Sequence, residues 1–214
     1  MKSTNWIVLG LLVLLIVAAS AVYSVFEYNN LNIIIDTNGS NTEVNYQTLI
    51  WGSVPSEMMK EIKSQVSEDV ISPNSTVDTI KSDVKAIAYK YNYNADVKIV
   101  SQFGTDQLPM PATVKGTSMI PTLQDGQEIT ILKTNNLNVG DIVVALHPTY
   151  GLIVKRLSTI EGNQVYLTSD NKYVEIIKTK TILPNGAVET VTVQKTPLNT
   201  WISTENVIGV VKVY

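Results

Sequence analysis

The sequence contains no cysteine, one histidine and only two phenylalanines in 214 residues. Without cysteine there is no disulfide, no thiolate nucleophile and no thiolate metal site. With His147 as the single histidine, a multi-histidine zinc centre is excluded, although carboxylate-bound ions are not. An excess of basic charge is also missing. The chain has 16 Lys and Arg against 19 Asp and Glu, a formal net charge of -3, so no positive field exists to draw it to nucleic acid. Charged residues make up 16% and hydrophobic residues 44%, which suits one anchor plus one or two folded units and argues against disorder.

What is present begins with a long apolar run. From Trp6 to Phe26 no residue is charged; Ser20 and Ser24 are the polar exceptions, and Trp6 and Tyr23 lie near the ends. A helix rising about 1.5 Å per residue needs roughly 20 such residues to cross a bilayer, with aromatic residues favoured at the interfaces. The small residues Ala18, Ala19, Ser20 and Ala21 look like a cleavage site, but the run is longer than the roughly 7 to 15 residues of a signal-peptide core. Residues 1–27 are therefore expected to form a retained single-pass anchor with the lipid bilayer as its partner. Lys2 precedes the run and Glu27 is the first charge after it, which predicts a cytoplasmic N-terminus and an extracytoplasmic remainder at the cell membrane.

Residues 28–108 read as a small α+β accessory region. Leu31 to Asp36 is apolar and β-branched and ends at the turn-rich Asp36-Thr37-Asn38-Gly39-Ser40-Asn41. Ser75 or Thr76 caps a predicted helix in which Val77, Ile80, Val84, Ile87 and Ala88 recur at helical spacing, and Ala95 to Phe103 reads as a strand. Pro109 and Pro111 mark a boundary. Residues 109–214 are β-rich, with strands predicted near Glu128–Leu132, Asp141–Leu146, Leu152–Ile160, Val165–Thr168, Tyr173–Thr181, Val188–Gln194 and Val207–Val213. Pro184-Asn185-Gly186 suits a tight hairpin, which makes 173–194 a projecting β-ribbon. No internal repeat is evident. Two sequons, Asn38-Gly39-Ser40 and Asn74-Ser75-Thr76, agree with an outside location and say no more.

The most informative segment is Gly116-Thr117-Ser118-Met119-Ile120-Pro121-Thr122-Leu123. Taken alone, Ser118 is a turn or cap residue. Its neighbours suggest more: Gly116 permits close backbone approach and Pro121 stiffens the exit, so that main-chain N–H groups around Gly116, Thr117 and Ser118 can face a developing oxyanion. A serine hydroxyl needs a base. His147, within His147-Pro148-Thr149-Tyr150-Gly151, reads as a hairpin-turn residue. In the strand Leu152-Ile153-Val154-Lys155-Arg156-Leu157, Lys155 shares a face with Ile153 and Leu157. Apolar surroundings would lower its pKa and make the neutral amine available; the alternative is a lysine that lays its stem on apolar surface and keeps its charge in water. Arg156, on the opposite face, reads as a structural or surface residue.

The order Ser118, then Gly140-Asp141-Ile142-Val143-Val144, then Lys155-Arg156, resembles signal peptidase I and its LexA-like relatives over about the last hundred residues. The compact spacing of serine and lysine looks more like the LexA branch, whereas Met119-Ile120-Pro121-Thr122-Leu123 and the apolar N-terminus look like signal peptidase. No N-terminal DNA-binding helix-turn-helix is visible. Ser169-Asp170-Asn171 is similar to the family's Gly-Asp-Asn box, which gives Asp170 a possible supporting role beside that of a turn aspartate. The family's further serine or acidic residue downstream is missing. The resemblance implies a mainly β fold of the signal peptidase/LexA-like type. It also implies a membrane-bound serine endopeptidase with Ser118 and Lys155 as catalytic dyad, no metal or organic cofactor, and exported precursor proteins with signal peptides as substrates. Two other readings stand beside it: a non-catalytic membrane-tethered β protein that binds exported chains, and a dedicated protease of narrow range.

Overall fold

A computed structural model describes residues 8–20, 30–48, 53–182, 186–195 and 197–213, which fall into two compact units, 1–108 and 109–214. The first unit opens with helix α1 over residues 8–20, whose side chains are all exposed. Among the described residues no helix is long and apolar enough to cross a membrane. The remaining parts of the expected span, residues 6–7 and 21–26, lie outside the described residues.

Strands β1 (Asn30–Thr37) and β2 (Thr42–Thr48) form a hairpin, helices α2 (Ser56–Ile71) and α3 (Val77–Lys90) follow, and β3 (Asn94–Ser101) returns parallel to β1, with the short β4 (Gly104–Thr105) at one edge. The period of two in β1 and β3 puts Leu31, Ile33, Ile35, Ala95, Val97 and Ile99 on one face of the sheet. These pack with Met58, Ile62, Val66 and Val70 of α2 and Ile80, Val84 and Ala88 of α3 in a single core. Thr76 is the cap of α3: its hydroxyl accepts from the Thr79 N–H while the Thr79 hydroxyl accepts from the Thr76 N–H. Sequence periodicity identified β1, α3 and β3 but passed over β2 and α2. Val44 is the one buried hydrophobic residue of β2, and α2 carries a narrow apolar stripe amid charged residues. The strand expected to run to Phe103 ends at Ser101, where the chain turns back into β4 and Asp106 adopts a positive φ of 55°.

The second unit is an antiparallel sheet of seven strands ordered β12-β9-β8-β7-β13-β6-β5. Its strands are β5 (Leu108–Thr113), β6 (Glu128–Lys133), β7 (Ile142–His147), β8 (Gly151–Glu161), β9 (Gln164–Thr168), β12 (Thr200–Ser203) and β13 (Val207–Val213). Pro109 and Pro111 sit within β5, where the sequence suggested only a boundary; β5 is an edge strand, the place where a missing N–H costs the sheet least. Each face of the sheet carries its own core. One contains Met119, Leu123, Ile131, Ile142 and Val144, and the other Val143, Ala145, Leu157, Val165 and Leu167. Strand β7 is thus covered on both sides, which is why it reads as a continuous Ile-Val-Val-Ala run rather than an alternation. The mainly β architecture expected of this part is the one observed. A separate two-stranded ribbon, β10 (Glu175–Ile182) with β11 (Val188–Lys195), pairs from Glu175 opposite Lys195 to Ile182 opposite Val188. Gly186 at its tip has φ +80°, while Pro184 and Asn185 lie outside the described residues.

Gly209 in β13 marks a close approach between backbones. The register against β7 shifts between Val207 and Gly209, and a Cβ at position 209 would lie within 2.9 Å of main-chain atoms of Leu132 and Lys133. Because those atoms belong to a paired strand, they cannot rotate away. The substitution Gly209→Ala is expected to lower the stability of this unit by about 3 kcal/mol, read as a fall in the urea midpoint; a midpoint equal to wild type would contradict the approach.

Candidate active site

Ser118 lies in the loop between β5 and β6, and the loop is held at several points. Met119 and Leu123 bury their side chains in the core, and the Leu123 N–H donates to the Met119 carbonyl at 2.9 Å, closing a tight turn just after the serine. Gly116 adopts φ +87°, a conformation costly for any side-chain-bearing residue, and its N–H donates to Asp125 Oδ1 at 2.7 Å. Of the three residues expected to form the oxyanion region, Gly116 therefore has its N–H engaged. The N–H groups of Thr117 and Ser118 make no hydrogen bond among the described residues.

Lys155 reaches this serine from the middle of β8. It pairs across the ladder with Val143 of β7, so its side chain leaves the sheet on the face that carries Val143, Ile153 and Leu157. The residue is only 4% exposed, and its Nζ stands 2.6 Å from Ser118 Oγ and 3.1 Å from the Val154 carbonyl oxygen. Burial pushes the pKa of the amine below the ordinary lysine value, and the attraction of Asp170 opposes that shift in part. Two partners define the amine's direction: a neutral amine can donate to the Val154 carbonyl and keep its lone pair for the serine proton. Ser169 does not take the place of the downstream serine absent from the sequence, because it is fully buried with its hydroxyl donating to the Leu198 carbonyl at 3.0 Å.

Arg156, the next residue, leaves β8 on the other face and meets Asp170 in a two-pronged ion pair, Nε to Oδ1 at 2.7 Å and Nη2 to Oδ2 at 2.6 Å. Arg156 Nη1 also donates to the Gly140 carbonyl at 2.7 Å, and the Thr122 hydroxyl donates to Asp170 Oδ2 at 2.5 Å. Arg156 and then Thr122 hold the Asp170 carboxyl below its usual pKa against the opposing effect of burial. Asp170 therefore does not touch Lys155. It ties the serine loop, through Thr122, to the lysine strand, through Arg156. The Gly140-Asp141 pair has a matching function: Gly140, at φ +99°, offers its carbonyl to Arg156, and Asp141 closes the turn by accepting from the Asn138 N–H at 2.9 Å.

His147 ends β7 beside the turn into β8, where its Nδ1 accepts from the N–H groups of Thr149 and Tyr150 at 3.0 and 3.3 Å. Among the described residues no group of three His, Asp or Glu side chains is placed to hold a metal ion. Beside Ser118 runs a cleft of about 760 Å³ whose walls include Thr117, Tyr150, Ile153, Tyr173 and Leu198, mostly apolar with polar backbone at the serine. Sequence reasoning missed Thr122 and Asn171, which brace the loop; the hydroxyl of Thr122 inside the serine segment and the amide of Asn171 beside Asp170 were the available signals.

A family model described as Peptidase S24-like matches residues 84–192, just over half of the chain. The chain is also similar to proteins named Signal peptidase IB from Staphylococcus aureus strains Mu50 / ATCC 700699, N315 and MW2. Each is 37% identical over 68 residues, a match that covers 30% of this chain and 36% of the relative. The match thus spans little more than a third of the length of these curated relatives. On the extent of the family match, the chain belongs to the Peptidase S24-like family.

Proposed function

We propose that this protein is a membrane-tethered serine endopeptidase that cleaves exported precursors at the end of their signal peptides, with Ser118 as nucleophile and Lys155 as general base. The observation that carries the reading is the 2.6 Å separation of Ser118 Oγ and a buried Lys155 Nζ. It is supported by membership of a peptidase family and by likeness to proteins named Signal peptidase IB. The apolar run from Trp6 to Phe26 supplies the tether, with the catalytic unit on the outer side.

In the reaction, an extended substrate lies along the cleft, and neutral Lys155 takes the Ser118 proton as Oγ attacks the scissile carbonyl carbon. The Ser118 N–H stabilises the oxyanion. The Lys155 ammonium then returns its proton to the departing amine as the C–N bond breaks, leaving an ester on Ser118. Water, deprotonated by the same amine, hydrolyses that ester and restores both groups. Arg156 and Asp170 hold the two halves of the site in register, and no step uses their protons.

The test is cleavage of a precursor with a small-residue cleavage site by purified protein in detergent. Ser118→Ala should abolish cutting, and Lys155→Ala should lower kcat by about 10² to 10⁴; equal activity of all three proteins would sink the dyad. Because the base acts as the neutral amine, kcat/KM should rise with pH through the lowered pKa of Lys155 and level off before the usual lysine range of about 10.4. A rate still climbing through that range would contradict a desolvated amine.

Stability should follow the same titration. A lysine whose folded pKa is lowered binds its proton more weakly in the native state, so stability rises with pH between the folded and unfolded values. Lys155→Met removes this penalty. Its urea midpoint should exceed that of wild type most at low pH, and the gap should close as pH rises through that window; a gap independent of pH would count against the burial argument.

A further inference from the structure

We infer that Asn171 is a positioning residue that fixes the direction of the Ser118 main-chain N–H, the group that receives the oxyanion; this inference rests on the peptidase reading above. Three hydrogen bonds converge on Asn171. Its Nδ2 donates to the Thr117 carbonyl at 2.9 Å, its own N–H donates to the Ser118 carbonyl at 3.0 Å, and its Oδ1 accepts from the Tyr173 N–H at 2.9 Å. The last contact determines the orientation of the carboxamide. With nitrogen and oxygen exchanged, an oxygen would face the Thr117 carbonyl and an NH2 would face an N–H, so only the observed orientation satisfies both sides.

The geometry of a peptide group turns these contacts into a constraint on catalysis. The Thr117–Ser118 bond is trans, so its carbonyl and its N–H point in opposite directions across one rigid plane. Holding the Thr117 oxygen therefore holds the Ser118 N–H, and that N–H makes no hydrogen bond among the described residues. Holding the Ser118 oxygen does the same for the following peptide plane. A rotation of the Thr117–Ser118 plane would aim a carbonyl dipole where the oxyanion develops and repel it. Gly116, at φ +87°, offers the upstream chain the freedom for such a rotation, and the Asn171 carboxamide opposes it together with the Ile120 N–H, which donates to the same Thr117 oxygen at 3.2 Å. Asn171 also forms part of the cleft wall together with Thr117, Ser118 and Tyr173, so the brace lies within the site and not behind it. It makes no bond to Lys155, and its action is separable from that of the base.

Two substitutions divide the donor role of Asn171 from its structural one. Asn171→Asp keeps an oxygen for the Tyr173 N–H and the main-chain bond to Ser118, but loses the donor to Thr117. Asn171→Ala loses both side-chain bonds. Each is compared with wild type and Ser118→Ala on the same precursor peptide, on the alkaline plateau of its own rate profile, so that a change in the Lys155 titration does not enter. The folded fraction is checked by near-UV dichroism. Because the oxyanion exists only in the transition state, both variants should lose kcat on the order of 10²-fold, with KM changed less than about threefold. Asn171→Ala should keep the acid limb of the wild-type profile. Full kcat in Asn171→Asp would overturn the inference, as would a rise in KM at unchanged kcat or a loss that only tracks the folded fraction. Undiminished cutting by Ser118→Ala would instead overturn the peptidase reading itself.

Discussion

The site depends on placing a lysine amine where water cannot stabilise its charge. An ammonium in bulk solvent is a poor base near neutral pH, and a serine hydroxyl without a base is a poor nucleophile. Under the proposed dyad, the placement of Lys155 answers both requirements. The stem of Lys155 lies on the apolar face with Val143, Ile153 and Leu157, and the amine emerges against Ser118 Oγ and the Val154 carbonyl. Burial favours the neutral form, and the two partners give that form a direction.

Two neighbouring cations, Lys155 and Arg156, show how strand alternation assigns opposite chemistry to adjacent residues. On one face the charge is disfavoured by apolar neighbours. On the other it is matched by Asp170 in a two-pronged pair that also gathers Thr122 and Gly140. Asp170 pulls the Lys155 pKa upward, but its closest charge is Arg156, so the carboxylate braces the site while leaving the amine desolvated. The serine loop is clamped from two directions, by Thr122 through Asp170 and by Thr117 and Ser118 through Asn171.

Much of this was legible before any coordinates. Alternation along β8 separates Lys155 from Arg156, the apolar run from Asp141 to Leu146 marks β7, and helical spacing from Val77 to Ala88 marks α3. What periodicity cannot show is a bond between residues distant in sequence. The partner of Asp170 is Arg156 rather than Lys155, and the partners of Asn171 are carbonyl oxygens that carry no side-chain signature. Strand β5 was obscured by its prolines, which are tolerated at a sheet edge, and β2 by a composition with one buried hydrophobic side chain. Nor could the sequence distinguish the three residues of the expected oxyanion region: Gly116 gives its N–H to Asp125, whereas the N–H groups of Thr117 and Ser118 make no hydrogen bond among the described residues.

The claim beneath all of this is that the amine beside Ser118 sheds its proton more readily than a solvated lysine does. Its most direct measurement is an NMR titration of protein labelled with ¹³C at the lysine ε-carbon, with the Lys155 signal assigned by its absence from Lys155→Met. The account predicts one lysine that titrates below the ordinary value of about 10.4 while the exposed lysines do not. A Lys155 signal that titrates together with the exposed lysines would contradict it.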